Sequence, residues 1–272
     1  MIDILAYNTY ITAFNANMIV NESFLDSATI RENVVSLARN VGYVPRSKTC
    51  AKAKISFDVN LGSVVTAPTQ ITLKAGLVCV GASDNTNYVF SVPSNVITTV
   101  DANTAIASFE EVEIYQGNLI TQKFTNVTQS TRKFILNNQN IDTSTLNVKV
   151  NGLKYSLVDN ITELNSNSEI FLIQEIEDNR YQVLFGDGIL GKKIEGGSTV
   201  EISYIITNGK DGDGPSLFSF AGILTNNLDQ IQTPSQPVSI TTLSPAVGGS
   251  DIESIDSIKY FAPRLYSSQY RA

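Results

Sequence analysis

The hydrophobic period of this chain changes from helical to alternating at Pro45, and the change bounds the folds open to it. Up to Val41, apolar residues recur every three or four positions, the spacing of one face of a helix. Beyond Pro45 they alternate in short runs broken by Gly, Asn and Pro, the spacing of half-buried strands. Such a chain is expected to be α+β and mainly antiparallel β. It should carry an N-terminal helical arm, two β domains and a short C-terminal helix.

In the arm, Ile4, Tyr7, Ile11, Phe14 and Met18 are separated by alternating steps of three and four, a heptad seam. Asp3 can serve as its N-cap. A lone helix of this length is marginal in water, so the seam needs cover from its own domain or from another chain. In the next helix Thr29 and Glu32 have capping-box spacing, with Ser27 as an alternative cap. Ile30, Val34, Leu37 and Val41 form its stripe, Gly42 supplies its C-terminal turn and Pro45 forbids continuation. Residues 1–45 therefore read as a helical arm.

Residues 46–127 read as a first β domain, with alternation at Ile55–Leu61, Ile71–Leu73, Tyr88–Val92 and Val112–Ile114 and an extended run from Leu119 to Val127. A second β domain is expected over 128–215. In it Asn151-Gly152 is a strong two-residue hairpin turn, and Asp178-Asn179 turns the strand at 170–176 into Tyr181–Phe185. Residues 216–272 read as a linker and the start of a further domain, with a helix that begins near a capping box at Ser250 and Glu253 and ends before Pro263.

The 272 residues are enough for about two domains. They include no His, which removes Ser-His-Asp and Cys-His nucleophiles and every His-ligated zinc site. Two Cys cannot form a four-ligand metal site; Cys50 and Cys79 read as buried reduced thiols, a single disulfide being possible. A net charge of −7 without a dense basic run argues against nucleic acid as a partner. No apolar run approaches the roughly 20 residues that span a bilayer, and the first residues lack the basic start of a signal peptide, so no membrane partner is expected and synthesis is expected in the cytoplasm.

Three stretches tempt a catalytic or binding reading. Gly186-Asp187-Gly188-Ile189-Leu190-Gly191 matches a phosphate-loop pattern, yet a strand rather than a helix follows it. The expectation is a long hairpin connection, with Phe185, Gly186, Asp187, Gly188, Gly191 and Gly197 as structural residues and Asn208-Gly209 closing the next strand. Asp187, Asp211 and Asp213 fail the spacing of a calcium loop. Glu111 and Glu113 lie about 7 Å apart on one strand face, but a solvated face outweighs an acid pair when no apolar pocket is indicated. No catalytic, cofactor or metal site is expected, and the chain is not expected to be an enzyme.

The stretch from Tyr181 to Gly214, with Phe-Gly-Asp-Gly followed by a Gly-rich connection and a strand ending Thr-Asn-Gly, resembles the baseplate J-like family. Residues 5–47 and 248–272 resemble the large baseplate wedge subunit of contractile-tailed bacteriophages. The resemblance implies a non-enzymatic virion component of the tail baseplate that assembles in the host cytoplasm. Copies would join each other and other wedge subunits through a helical bundle, close into a ring around the tail hub and rearrange on contraction. Ile4, Tyr7, Ile11, Phe14 and Met18 match the bundle-forming region. Members of that family extend before the position of Met1 and beyond that of Ala272, so the resemblance implies a portion of the large subunit. The competing reading is a tail-associated carbohydrate-binding or glycan-cleaving module; a receptor-binding adhesin ranks third.

Overall fold

Sequence alternation becomes three sheets in the computed structural model, which describes residues 2–63, 67–83, 85–126, 133–158 and 165–269. The chain is mainly antiparallel β, 43% strand. It divides into a helical unit (Met1–Arg46, Gln174–Asn179, Glu253–Ala272) and a β unit (Ser47–Ile173, Arg180–Ile252). Val127 and the expected domain boundary after it lie outside the described residues.

The helical unit contains α1 (Ile2–Glu22), α2 (Arg31–Asn40) and α3 (Ile255–Gln269). Its core joins Ala28, Val34, Val35 and Ala38 to Ile258 and Ala262. Of the expected stripe only Val34 is fully buried; Leu37 and Val41 pack partly against the core, Ile30 is exposed, and Val35 and Ala38 take the buried places. The expected caps are replaced. The Glu22 carboxylate accepts the backbone N–H groups of Thr29 and Ile30, the Thr29 hydroxyl and the Asn33 amide, while Ile30 holds the N-cap position. The carboxylate thus meets orphan N–H groups and the positive end of the α2 dipole from outside the helix. Glu32, freed from the capping box, accepts the Asp178 N–H instead.

The amide of Asn33 foremost, then Thr29, holds the Glu22 carboxyl at about 2, below its ordinary 4.5. A depressed carboxylate stabilises above the unfolded pKa and loses that contribution as the pH falls through the folded one. The α2 entry should therefore weaken between about pH 4.5 and 2. Glu22→Ala should abolish this acid step and speed amide exchange at Thr29 and Ile30 at neutral pH; unchanged exchange there would contradict the cap.

α3 starts later than its spacing indicates, because Ser254, not Ser250, accepts the Ser257 N–H. Glu253 turns instead to Tyr43 O–H, Arg46 N–H and Ser257 O–H. Burial pushes the Glu253 carboxyl up, but these hydrogen bonds outweigh it and hold the group low. Arg31 meets both Glu175 oxygens and the Glu253 carbonyl, tying α2 to segment 174–179 and the start of α3. Pro263 lies inside α3 rather than after it. It deletes one rung of the ladder, while Ile258 and Ala262 anchor the helix in the core on its N-terminal side.

In the β unit, β1 (Lys52–Asn60), β2 (Gln70–Leu73), β3 (Gly76–Ser83), β4 (Thr86–Val92), β5 (Val96–Thr99) and β6 (Ile106–Gln116) come first. Then follow β7 (Asn118–Thr125), β8 (Lys133–Ile135), β9 (Ile141–Val150), β10 (Leu153–Leu157), β11 (Ile170–Glu175), β12 (Tyr181–Phe185) and β13 (Thr199–Ile206). The last four are β14 (Phe218–Phe220), β15 (Leu224–Asn226), β16 (Ile231–Gln232) and β17 (Ile240–Val247). The first lobe pairs a six-stranded sheet, β14-β3-β4-β6-β1-β17, with a four-stranded one, β16-β15-β2-β5. Ile55, Phe57, Ile71, Leu73, Phe90, Phe109 and Ile114 fill its core, and the Phe57 and Phe109 rings stack at 4.8 Å. The second lobe is one sheet, β7-β13-β9-β10-β11-β12-β8, over Phe134, Val148, Tyr155, Val183, Phe185, Ile202 and Tyr204. Asn151 and Gly152 take φ +50° and +84° between paired Val150 and Leu153, the tight turn that Asn-Gly favours.

Strand partners differ from sequence order in two places. β7, which spacing groups with the first block, pairs along its whole length with β13 of the second sheet. β14 and β17, from the segment read as a linker, complete the two edges of the first sheet. Pairing across more than seventy residues leaves no trace in local periodicity. The lobes share a junction in which buried Gln116 accepts the Thr207 hydroxyl and the Asn208 N–H, and Ser91 donates to the Gly117 carbonyl.

Cys50 and Cys79 are free and fully buried. Burial pushes both thiols up, Cys79 to about 12 and Cys50 further, beside the Asp142 carboxylate. The thiolate is the reactive form, so neither residue should label with a maleimide in the native protein, and both should label in urea. Rapid native labelling of either would contradict their burial.

Candidate assembly surface

α1 is the one α-helix of the chain without a single buried residue among those described. At about 1.5 Å per residue its 21 residues run for roughly 31 Å. Ile4 is 73% exposed, Tyr7 68%, Phe14 55% and Met18 42%, while Ile11 is half-buried. The structure thus brings the five seam residues onto one helix face and leaves that face largely open.

Heptad reasoning missed the other side. Ile2, Leu5, Ile19 and Val20 are also exposed and, with Ala6, Ala13 and Ala16, form a second apolar stripe. Asn8, Asn15 and Asn17 border the two stripes, and the only ionisable side chains besides tyrosines are Asp3 and Glu22, at the ends. Thr9 and Thr12 donate their hydroxyls to the Leu5 and Asn8 carbonyls, four residues back, which satisfies them within the helix. A helix apolar on two faces is normally enclosed by other elements. The signal was present in the near-absence of charge over residues 4–21.

Backbone N–H groups of the Gly-rich stretch are taken up within the chain. Asp187 Oδ1 accepts the Ile189 and Leu190 N–H groups, Gly188 N–H reaches the Gly191 carbonyl, and Gly191 N–H reaches Asn165. Phe185 is buried in the core. A Cβ on Gly186 would lie 2.3 Å from the Gly191 backbone, so close chain approach demands glycine there. The connection is not a hairpin, because β9, β10 and β11 stand between β12 and β13. Gly197 lies beside Ser198 in its closing turn, at φ +83°. Asn208 and Gly209 belong to the lobe junction, where a Gly209 Cβ would meet Lys48 and Asp251. Glu111 occupies a bulge at φ +49° that breaks the alternation of β6, and Glu113 lies 3.6 Å from Lys52. Among the described residues no group of three or more Asp, Glu or Cys could hold a metal, and no helix is long and apolar enough to cross a membrane.

Comparison with known proteins bears on this geometry. Residues 119–208 match the model of the third domain of bacteriophage baseplate wedge protein gp6. Baseplate wedge protein gp6 of Enterobacteria phage T4 is 29% identical, over 99% of this chain and 43% of its own length. The chain is similar to a phage baseplate wedge subunit. The matched domain, 119–208, coincides with the seven-stranded sheet from β7 to β13. The chain spans less than half the length of that wedge relative, and α1 lies within the aligned part.

Proposed function

We propose that this chain is a structural part of a contractile-tail baseplate wedge and assembles by protein–protein contacts through α1. The observation that carries this reading is an apolar 21-residue helix without buried residues, in a chain similar to a wedge protein over nearly its whole length. Its two stripes favour enclosure among helices of other wedge subunits, including further copies, over a single two-helix seam. Burying a Leu, Ile or Phe side chain contributes about 1.5–3 kcal/mol, so a few such residues can drive association once its entropy is met. The role is non-catalytic, the place is the virion tail baseplate after assembly in the host cytoplasm, and ring closure and contraction involve the complete subunit. The wedge matches lend nothing to a carbohydrate-binding or glycan-cleaving role. Co-expression with the other wedge subunits, followed by native mass spectrometry, should yield a stable mixed complex; recovery of this chain only as a free monomer would refute the reading.

A further inference from the structure

The outer faces of the two large sheets, both in the β unit, carry local patches of opposite charge: Lys149 and Lys154 on one, and Asp58, Glu110 and Glu111 on the other, where Lys52 and Lys54 stand at the far end of β1. On the seven-stranded sheet, Lys123 faces Glu201, Glu201 faces Lys149, and Lys149 faces Lys154, one row across β7, β13, β9 and β10. Val148, Val150, Val200 and Ile202 point into the core, so this row points to solvent. Lys123 pairs with Glu201 at 3.0 Å, whereas Lys149 and Lys154 form no ion pair among the described residues. Two lysines directly opposite each other repel, an arrangement that disfavours the isolated sheet and favours an anionic partner. On the six-stranded sheet, Asp58, Glu110 and Glu111 line a groove of about 750 Å³ together with Ser56, Ser108 and Thr241, and neither Lys nor Arg lines it.

We propose that the lysine row on the seven-stranded sheet of one copy docks into the acidic groove on the six-stranded sheet of a second copy. Charge complementarity selects the occupant, since each copy presents both surfaces. The contact is heterologous, head to tail, the type that closes a ring or extends a filament according to the rotation between copies. It uses neither stripe of α1, so it stands or falls independently of the bundle.

The test is sedimentation of the full chain at about 50 mM and about 500 mM salt, where exposed charges are weakly and strongly screened. Self-association should weaken at least tenfold in high salt. Lys149→Glu with Lys154→Glu, and separately Glu110→Lys with Glu111→Lys, should each abolish it while circular dichroism shows an intact fold. An equimolar mixture of the two charge-reversed proteins should associate again, since the intact row of one meets the intact groove of the other and the two reversed surfaces also complement each other. Association that is indifferent to salt, a mixture that stays monomeric, or loss of association in Phe14→Asp alone would overturn the proposal. So would a wild-type chain that remains monomeric in low salt.

Discussion

Phe14→Asp is expected to remove the chain from its mixed wedge complex while leaving the β unit folded. Phe14 lies mid-helix on the seam, 55% exposed, with Ile11 and Met18 one turn away on either side. In the isolated chain the change exchanges an apolar surface residue for a charged one and should alter stability by about 0.5 kcal/mol or less. In the complex it places a carboxylate where α1 must be desolvated. Central aromatic anchors are worth about 2 kcal/mol or more, so affinity should fall about 30-fold or more. Ile11→Asp should act in the same direction. A variant that co-assembles normally would show that α1 is covered by something other than the partner.

Gly117→Ala carries the largest expected effect on stability. Gly117 joins β6 to β7 at φ +131°, and a Cβ there would lie 2.1 Å from the Ile206 carbonyl oxygen and 2.7 Å from Ile205 Cγ2. The obstacle is strand backbone, which cannot turn aside as a flexible side chain can. Strain at positive φ and overpacking add, for a loss of about 3 kcal/mol or more. Gly152 is the control, at φ +84° with nothing within 4 Å of the place a Cβ would take. Gly152→Ala should cost only the conformational penalty, about 1 kcal/mol. Urea unfolding should separate the two midpoints by about 1 M. Equal losses would mean that the lobe junction is looser than the Gln116–Thr207 and Ser91–Gly117 hydrogen bonds indicate.

What the sequence disclosed and what it hid divide along sequence separation. The helical spacing of α1 and the Asn151-Gly152 turn depend on neighbours a few residues apart and were legible, whereas the α2 stripe was legible only in part, since Val35 and Ala38 rather than Ile30 face the core. Glu22 capping α2 was not, because a carboxylate outside the helix replaces the local Thr29–Glu32 pairing. β7 joining β13 was hidden for the same reason, with Lys123 and Glu201 meeting across a long stretch of chain. The Gly-rich connection after Phe185 was misread as a hairpin, because three strands stand between β12 and β13; its glycines answer to close backbone contact between Gly186 and Gly191. The second stripe of α1 was visible in composition but concealed by a template that asks only for a and d positions.

The central claim is that α1 is an assembly element that is open in the free chain and enclosed in the wedge. Amide hydrogen exchange over residues 2–22, compared between the isolated chain and the co-expressed complex, tests it most directly. Exchange along α1 should be fast in the free chain and at least about 100-fold slower in the complex, with β1, β6, β9 and β13 protected in both. Equal protection of α1 in the two states, or fast exchange in both, would contradict it.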